Sequence, residues 1–130
     1  MPAVHHRAMP PSPRVRRYLA LALCALLPGC ADPPAPFAGD PEAGKLLLRQ
    51  YGCASCHHIP GVAAAVGNAG PPLAGIARRA YLGGVLPNTP ENMQSWIRHP
   101  QRFDPLTAMP DMQVGEAHAR DMVAYLYRLR

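Results

Sequence analysis

The chain has 130 residues and a formal net charge of +5, with 17 Pro, 11 Gly, four Cys and six Met. That length favours one small domain. The basic excess sits in Arg7, Arg14, Arg16 and Arg17; from Cys30 onward basic and acidic residues nearly cancel, so the overall charge is no argument for nucleic-acid binding.

Arg14, Arg16 and Arg17 precede an apolar run from Tyr18 to Leu27 that is too short to span a bilayer, and residues 1–29 read as an export signal. Leu27-Pro28-Gly29-Cys30 resembles the lipobox of bacterial lipoproteins, with Pro28 as a departure from the usual small or β-branched residue. Cys30 is then the expected lipidation site, and acyl chains there would hold the product on a membrane at the periplasmic side. Ordinary cleavage before Asp40, releasing a soluble periplasmic protein, is the alternative. The residues around Arg16-Arg17 match a twin-arginine signal poorly, so general secretory export is expected. Residues 30–39, with Pro33, Pro34 and Pro36, read as a Pro/Ala-rich tether that buries no core. The domain proper is expected over 40–130.

Within it, Asp40 suits a helix N-cap, Pro41 the first helical position and Glu42 the first turn, with Ala43, Leu46 and Leu47 forming an apolar stripe until Gly52. Leu73, Ile76, Ala77 and Ala80 give a second helical spacing after Pro71-Pro72, ended by Gly83-Gly84. Thr89 and Pro90 open a third helix, whose Met93, Trp96 and Ile97 share a face and which Pro100 closes. A final helix is expected from about Glu116 to Leu129, with Ala119, Met122, Val123 and Leu126 at i, i+3, i+4 and i+7. No segment sustains a period of two, so no sheet is expected and the fold class is all-α. His58 to Pro72 and Pro100 to Gly115 are long irregular stretches for so small a domain.

Those loops make sense around a cofactor. Cys53-Ala54-Ser55-Cys56-His57 spells C-x-x-C-H, the signature of covalent haem attachment. Two cysteines three residues apart share one face of a helical turn, so both sulfurs reach the vinyl groups on one side of a porphyrin while the next residue aims an imidazole at the iron. A redox dithiol or half a zinc site is the plainer reading, but neither needs the His, and there is no second C-x-x-C. Cys24 leaves with the signal and Cys30 takes lipid, so no thiols remain for a disulfide framework. A buried porphyrin would supply apolar interior to a chain whose own core is marginal at this length.

From Asp40 to Arg130 the sequence resembles a class I cytochrome c. The resemblance rests on Gly44 in the first helix, C-x-x-C-H, the Gly-Pro-x-Leu turn at Gly70 to Leu73, Trp96, the Met109-Pro110 loop and Tyr125-Leu126 in the last helix. Gly84 to Asn92, followed by Trp96-Ile97-Arg98 and Pro100, is most similar to the cytochrome c domain appended to subunit II of bacterial haem-copper oxidases. The membrane helices and dinuclear-copper domain of that subunit have no counterpart in this sequence.

The resemblance implies about four helices and long loops wrapped around one haem c, held by Cys53 and Cys56, with His57 and Met109 on the iron. Met112 is the local rival for the sixth position, and His99 or His118 would give a bis-His site. The resemblance further implies that the Pro71 carbonyl accepts the His57 Nδ1 proton, that Leu73 packs on the haem, and that Arg78 and the Trp96 indole bind a buried propionate. Simpler roles are an exposed helix arginine for Arg78, a core aromatic for Trp96, a solvated Arg79, surface positions for His58, His99 and His118, and core packing for Met93 and Met122. Gly44 would let the first and last helices cross closely against Tyr125.

The expected function is one-electron transfer in a bacterial respiratory chain, between a donor protein and a terminal oxidase, with no small-molecule substrate. A fixed haem subunit of an oxidase or dehydrogenase complex is the second reading. A haem enzyme or gas sensor with open iron is the third, with His99 and Arg102 as the only distal acid-base pair on offer.

Overall fold

A computed structural model describes residues 38–130; the export signal over 1–29, Cys30 and the tether up to residue 37 lie outside the described residues. The first helix, α1, spans Pro41–Gln50. The Asp40 carboxylate accepts the Glu42 and Ala43 amides at 2.9 and 3.2 Å, and Pro41 at the first position loses no bond. Glu42 in the first turn and Arg49 in the last complement the helix dipole.

The last helix, α4, spans Glu116–Leu126 and packs across α1. A Cβ at Gly44 would overlap the carbonyl oxygen of Asp121, so only glycine permits this backbone contact. The Asp121 carboxylate also accepts the Asp40 amide at 2.8 Å, which ties the start of the domain to α4. Tyr125 lies further along, and its hydroxyl donates to the Pro60 carbonyl at 2.6 Å. Leu47 and Leu48 of α1 meet Ala119, Met122, Val123 and Leu126 of α4 in the core, together with Ile59, Val62 and Ala65 from the long loop.

The final helix ends three residues earlier than its sequence period suggests. Beyond Leu126 the amides of Arg128 and Leu129 reach back only three residues, to Tyr125 and Leu126, the tightened bonding common at helix ends. The middle helix, α2, spans Pro90–Arg98 under a Thr89 cap, with Met93 and Ile97 buried. Pro100 ends it as expected and also opens a four-residue helix, α3, Pro100–Phe103.

Between Leu73 and Ala80 the expected helix does not form. A 3₁₀ turn over Ile76–Arg78 stands there, followed by a two-stranded antiparallel ribbon of β1, Tyr81–Leu82, and β2, Leu86–Pro87, where no sheet was expected. The cause is long-range. The Asn88 side-chain amide donates to the Ile76 and Arg79 carbonyls at 2.8 and 2.9 Å, taking two acceptors that a helix would offer to residues 80 and 83. Gly83 and Gly84, at φ 55° and 77°, supply the left-handed turn of the ribbon.

Candidate functional site

Gly52 leaves α1 in a left-handed conformation, φ 74°, and its amide returns to the Arg49 carbonyl at 3.0 Å. The chain then tightens into a 3₁₀ turn, Cys53–Ser55, with the amides of Cys56 and His57 both bonded to the Cys53 carbonyl. Three residues per turn brings positions i and i+3 into line. Cys53, Cys56 and His57 accordingly line one cavity of about 340 Å³.

The His57 ring is set by what surrounds it. Its Nδ1 lies 2.7 Å from the Pro71 carbonyl. A carbonyl can only accept, so Nδ1 carries the proton and the Nε2 lone pair is free for an electrophile or metal. A Cβ on Gly70 would strike the imidazole, so glycine leaves the ring its space, and the Gly70 amide bonds the Cys56 carbonyl at 2.8 Å to hold the two segments together. Burial pushes the Cys53 thiol above its ordinary pKa, with nearby Cys56 adding to the rise and a backbone hydrogen bond opposing it.

Of the residues singled out from sequence, Pro71, Leu73, Trp96, Met109 and Met112 all line the same cavity. A Cβ on Gly83 would overlap the Trp96 ring, so the ribbon turn is closed down onto the indole. Arg78 is the exception. It is exposed and does not line the cavity; Arg79 does, with its guanidinium donating to the Pro72 carbonyl. The backbone explains the exchange: the 3₁₀ turn covers only Ile76–Arg78, and Arg79 leaves it in an extended conformation, φ −72° and ψ 141°, so its side chain departs from the direction a continued helix would give it.

The histidines considered as alternative ligands face other partners. His118 Nδ1 pairs with the Tyr51 hydroxyl at 2.8 Å, and His99 Nδ1 lies 3.5 Å from the Asp111 carboxylate. Neither lines the cavity, nor does Arg102. Met112 lines the cavity but is 37% exposed, and its methyl group is the atom that a Cβ on Gly52 would approach, at 4.0 Å.

A family model described as "Cytochrome c" matches residues 41–130. The chain is also similar to cytochrome c oxidase subunit 2 of Alkalihalophilus pseudofirmus, at 32% identity over 90 residues, which is 67% of this chain and 25% of that protein. The chain thus spans a quarter of the length of that relative. Haem c is the group this family implies, and the donor set suits it: two thiols at i and i+3, an imidazole with Nε2 free and thioether sulfurs, all on one mostly apolar cavity. Among the described residues no group of three His, Cys, Asp or Glu side chains could hold a metal ion by itself, which leaves the dithiol without partners for a zinc site. The turn, the cavity and the family match over nearly all of the described residues agree, and the chain belongs to the cytochrome c family, for which covalent haem c is the implied group.

Proposed function

We propose that this domain carries one haem c, joined through Cys53 and Cys56 and ligated by His57 and Met109, and passes single electrons from a respiratory donor to a terminal oxidase. The observation that carries the reading is the meeting of Cys53, Cys56, His57 and Met109 on one cavity. The bound group supplies a one-electron iron couple; the chain tunes and shields it. Pro71, by accepting the Nδ1 proton, makes His57 a better donor. The soft Met109 thioether favours the ferrous state and raises the potential into a range useful for feeding an oxidase. Arg79, in the place first assigned to Arg78, offsets propionate charge beside Trp96, while Leu73, Ile76 and Met93 exclude water.

The similarity to an oxidase subunit 2 supports the oxidase as acceptor. Attachment through a lipidated Cys30, with the domain on the periplasmic side of a membrane, completes the proposal. The same similarity favours a second reading, in which the protein is a fixed haem subunit of an oxidase complex. Copurification after gentle solubilisation separates them: stoichiometric association supports the subunit, and its absence supports a shuttle.

The test of the site is a visible and near-infrared spectrum of protein matured in a host that attaches haem c. A low-spin α band when reduced and a weak band near roughly 695 nm when oxidised are expected for His/Met ligation. A high-spin spectrum that shifts with carbon monoxide would replace the carrier reading with an open-iron enzyme or sensor.

A further inference from the structure

A thioether is a neutral and weak iron ligand, so its hold depends on how well the loop that carries it is fixed beforehand. The backbone of Met109 is held at both polar groups by side chains. Its amide donates to the Thr107 hydroxyl at 3.3 Å, and its carbonyl accepts from the Gln101 side-chain amide at 2.8 Å. Gln101 sits on α3, whose first residue, Pro100, is fully buried. A brace anchored through a buried residue such as Pro100 is better fixed than one carried by the loop itself, as Thr107 is. Between them, the Asp104 carbonyl takes the Thr107 amide at 3.1 Å and its carboxylate takes the Leu106 amide at 3.0 Å, so the turn leading to Met109 carries two further bonds.

Met112, the competing thioether, has a different setting. It lies between Asp111 and Gln113, where Gln113 adopts φ 54°, an uncommon conformation for a side chain of this kind, held by an Asp111 carboxylate bond to its amide at 2.7 Å. Among the described residues no side chain hydrogen-bonds the Met112 backbone.

We propose that Gln101 is a positioning residue for the sixth iron ligand: its amide N–H, donated to the Met109 carbonyl, holds the thioether on the iron against competing ligands. The proposal rests on Met109 being that ligand. Gln101 does not line the cavity and is uncharged, so its effect passes through the loop.

The experiment compares holoprotein carrying Gln101→Leu, which has no donor, with Gln101→Glu, which has one only when protonated. Band intensity near roughly 695 nm in the oxidised form and carbon monoxide affinity in the reduced form are followed from neutral to acid pH. At neutral pH both variants should show a weaker band and bind carbon monoxide roughly three- to tenfold more tightly, the equilibrium weight of one ordinary hydrogen bond. On acidification Gln101→Glu alone should return towards wild type. A Gln101→Leu protein that matches wild type in both measurements overturns the proposal, and so does a Gln101→Glu protein that tracks Gln101→Leu at every pH. Met109→Leu distinguishes the underlying reading: if the band survives it, Met109 is not the ligand and the role of Gln101 falls with it.

Discussion

Single side chains decide the properties of this site, and the two methionines show how. Both line the cavity, but only Met109 has its backbone pinned on both sides. Met109→Ala should lower the midpoint potential and open the iron to carbon monoxide, while Met112→Ala should leave both almost unchanged; potentiometry and carbon monoxide titration check this, and the reverse pattern moves the ligand to Met112. The arginines give a second contrast. Removing a cation from the cavity wall disfavours the reduced state, so Arg79→Gln should lower the potential by on the order of tens of millivolts, whereas Arg78→Gln, out in solvent, should not change it. C-x-x-C-H was legible because its geometry is contained in five consecutive residues. The choice between Arg78 and Arg79 was not, because it depends on the turn ending at Arg78 and the backbone becoming extended at Arg79, whose carbonyl is taken by the distant Asn88 side chain.

Elements assemble around two crossings that the sequence marks unequally. At the first, Gly44 lets α1 lie against the Asp121 backbone. Gly44→Val should cost more than about 3 kcal/mol in denaturant unfolding, since backbone on one side and helix on the other leave nowhere for the side chain to go. The second is the Asn88 knot, in which the side chain donates to Ile76 and Arg79 and accepts from the Tyr127 hydroxyl at 2.9 Å. Asn88→Ala should cost about 1–3 kcal/mol and loosen the Ile76–Arg79 segment, which hydrogen exchange would report as faster turnover there. Caps and apolar stripes made α1, α2 and α4 readable, since Asp40 and Thr89 act on amides two or three residues away. The same periodic logic gave a helix over Leu73–Ala80 where none forms, because an amide from residue 88 takes its carbonyls.

At the scale of the molecule, stability has an alkaline edge. Burial first, and a nearby carboxylate second (Glu42 for Tyr125, Glu91 for Tyr127), raise both phenols above their ordinary pKa. In the unfolded chain these groups ionise near the ordinary tyrosine value of about 10, before they do so in the folded state. The folded protein then holds more protons, so their contribution is complete below about pH 10 and is lost as pH rises through the folded values. Denaturant midpoints should fall through that window, and Tyr125→Phe with Tyr127→Phe should flatten the fall. A decline of unchanged slope in the double variant would place the alkaline edge elsewhere. Among the described residues no helix is long and apolar enough to cross a membrane.

The sequence alone determined the cofactor chemistry, the all-α class, the caps of α1 and α2 and the residue types at the site, because each is written in contacts within one or two turns of chain. The tertiary structure decided the rest. It put Arg79 rather than Arg78 on the cavity, replaced a helix with a 3₁₀ turn and ribbon, and brought Gln101 to the Met109 carbonyl eight residues away. Each of these rests on a hydrogen bond or close approach between segments that local periodicity does not connect, and such pairings exist only once the chain has folded.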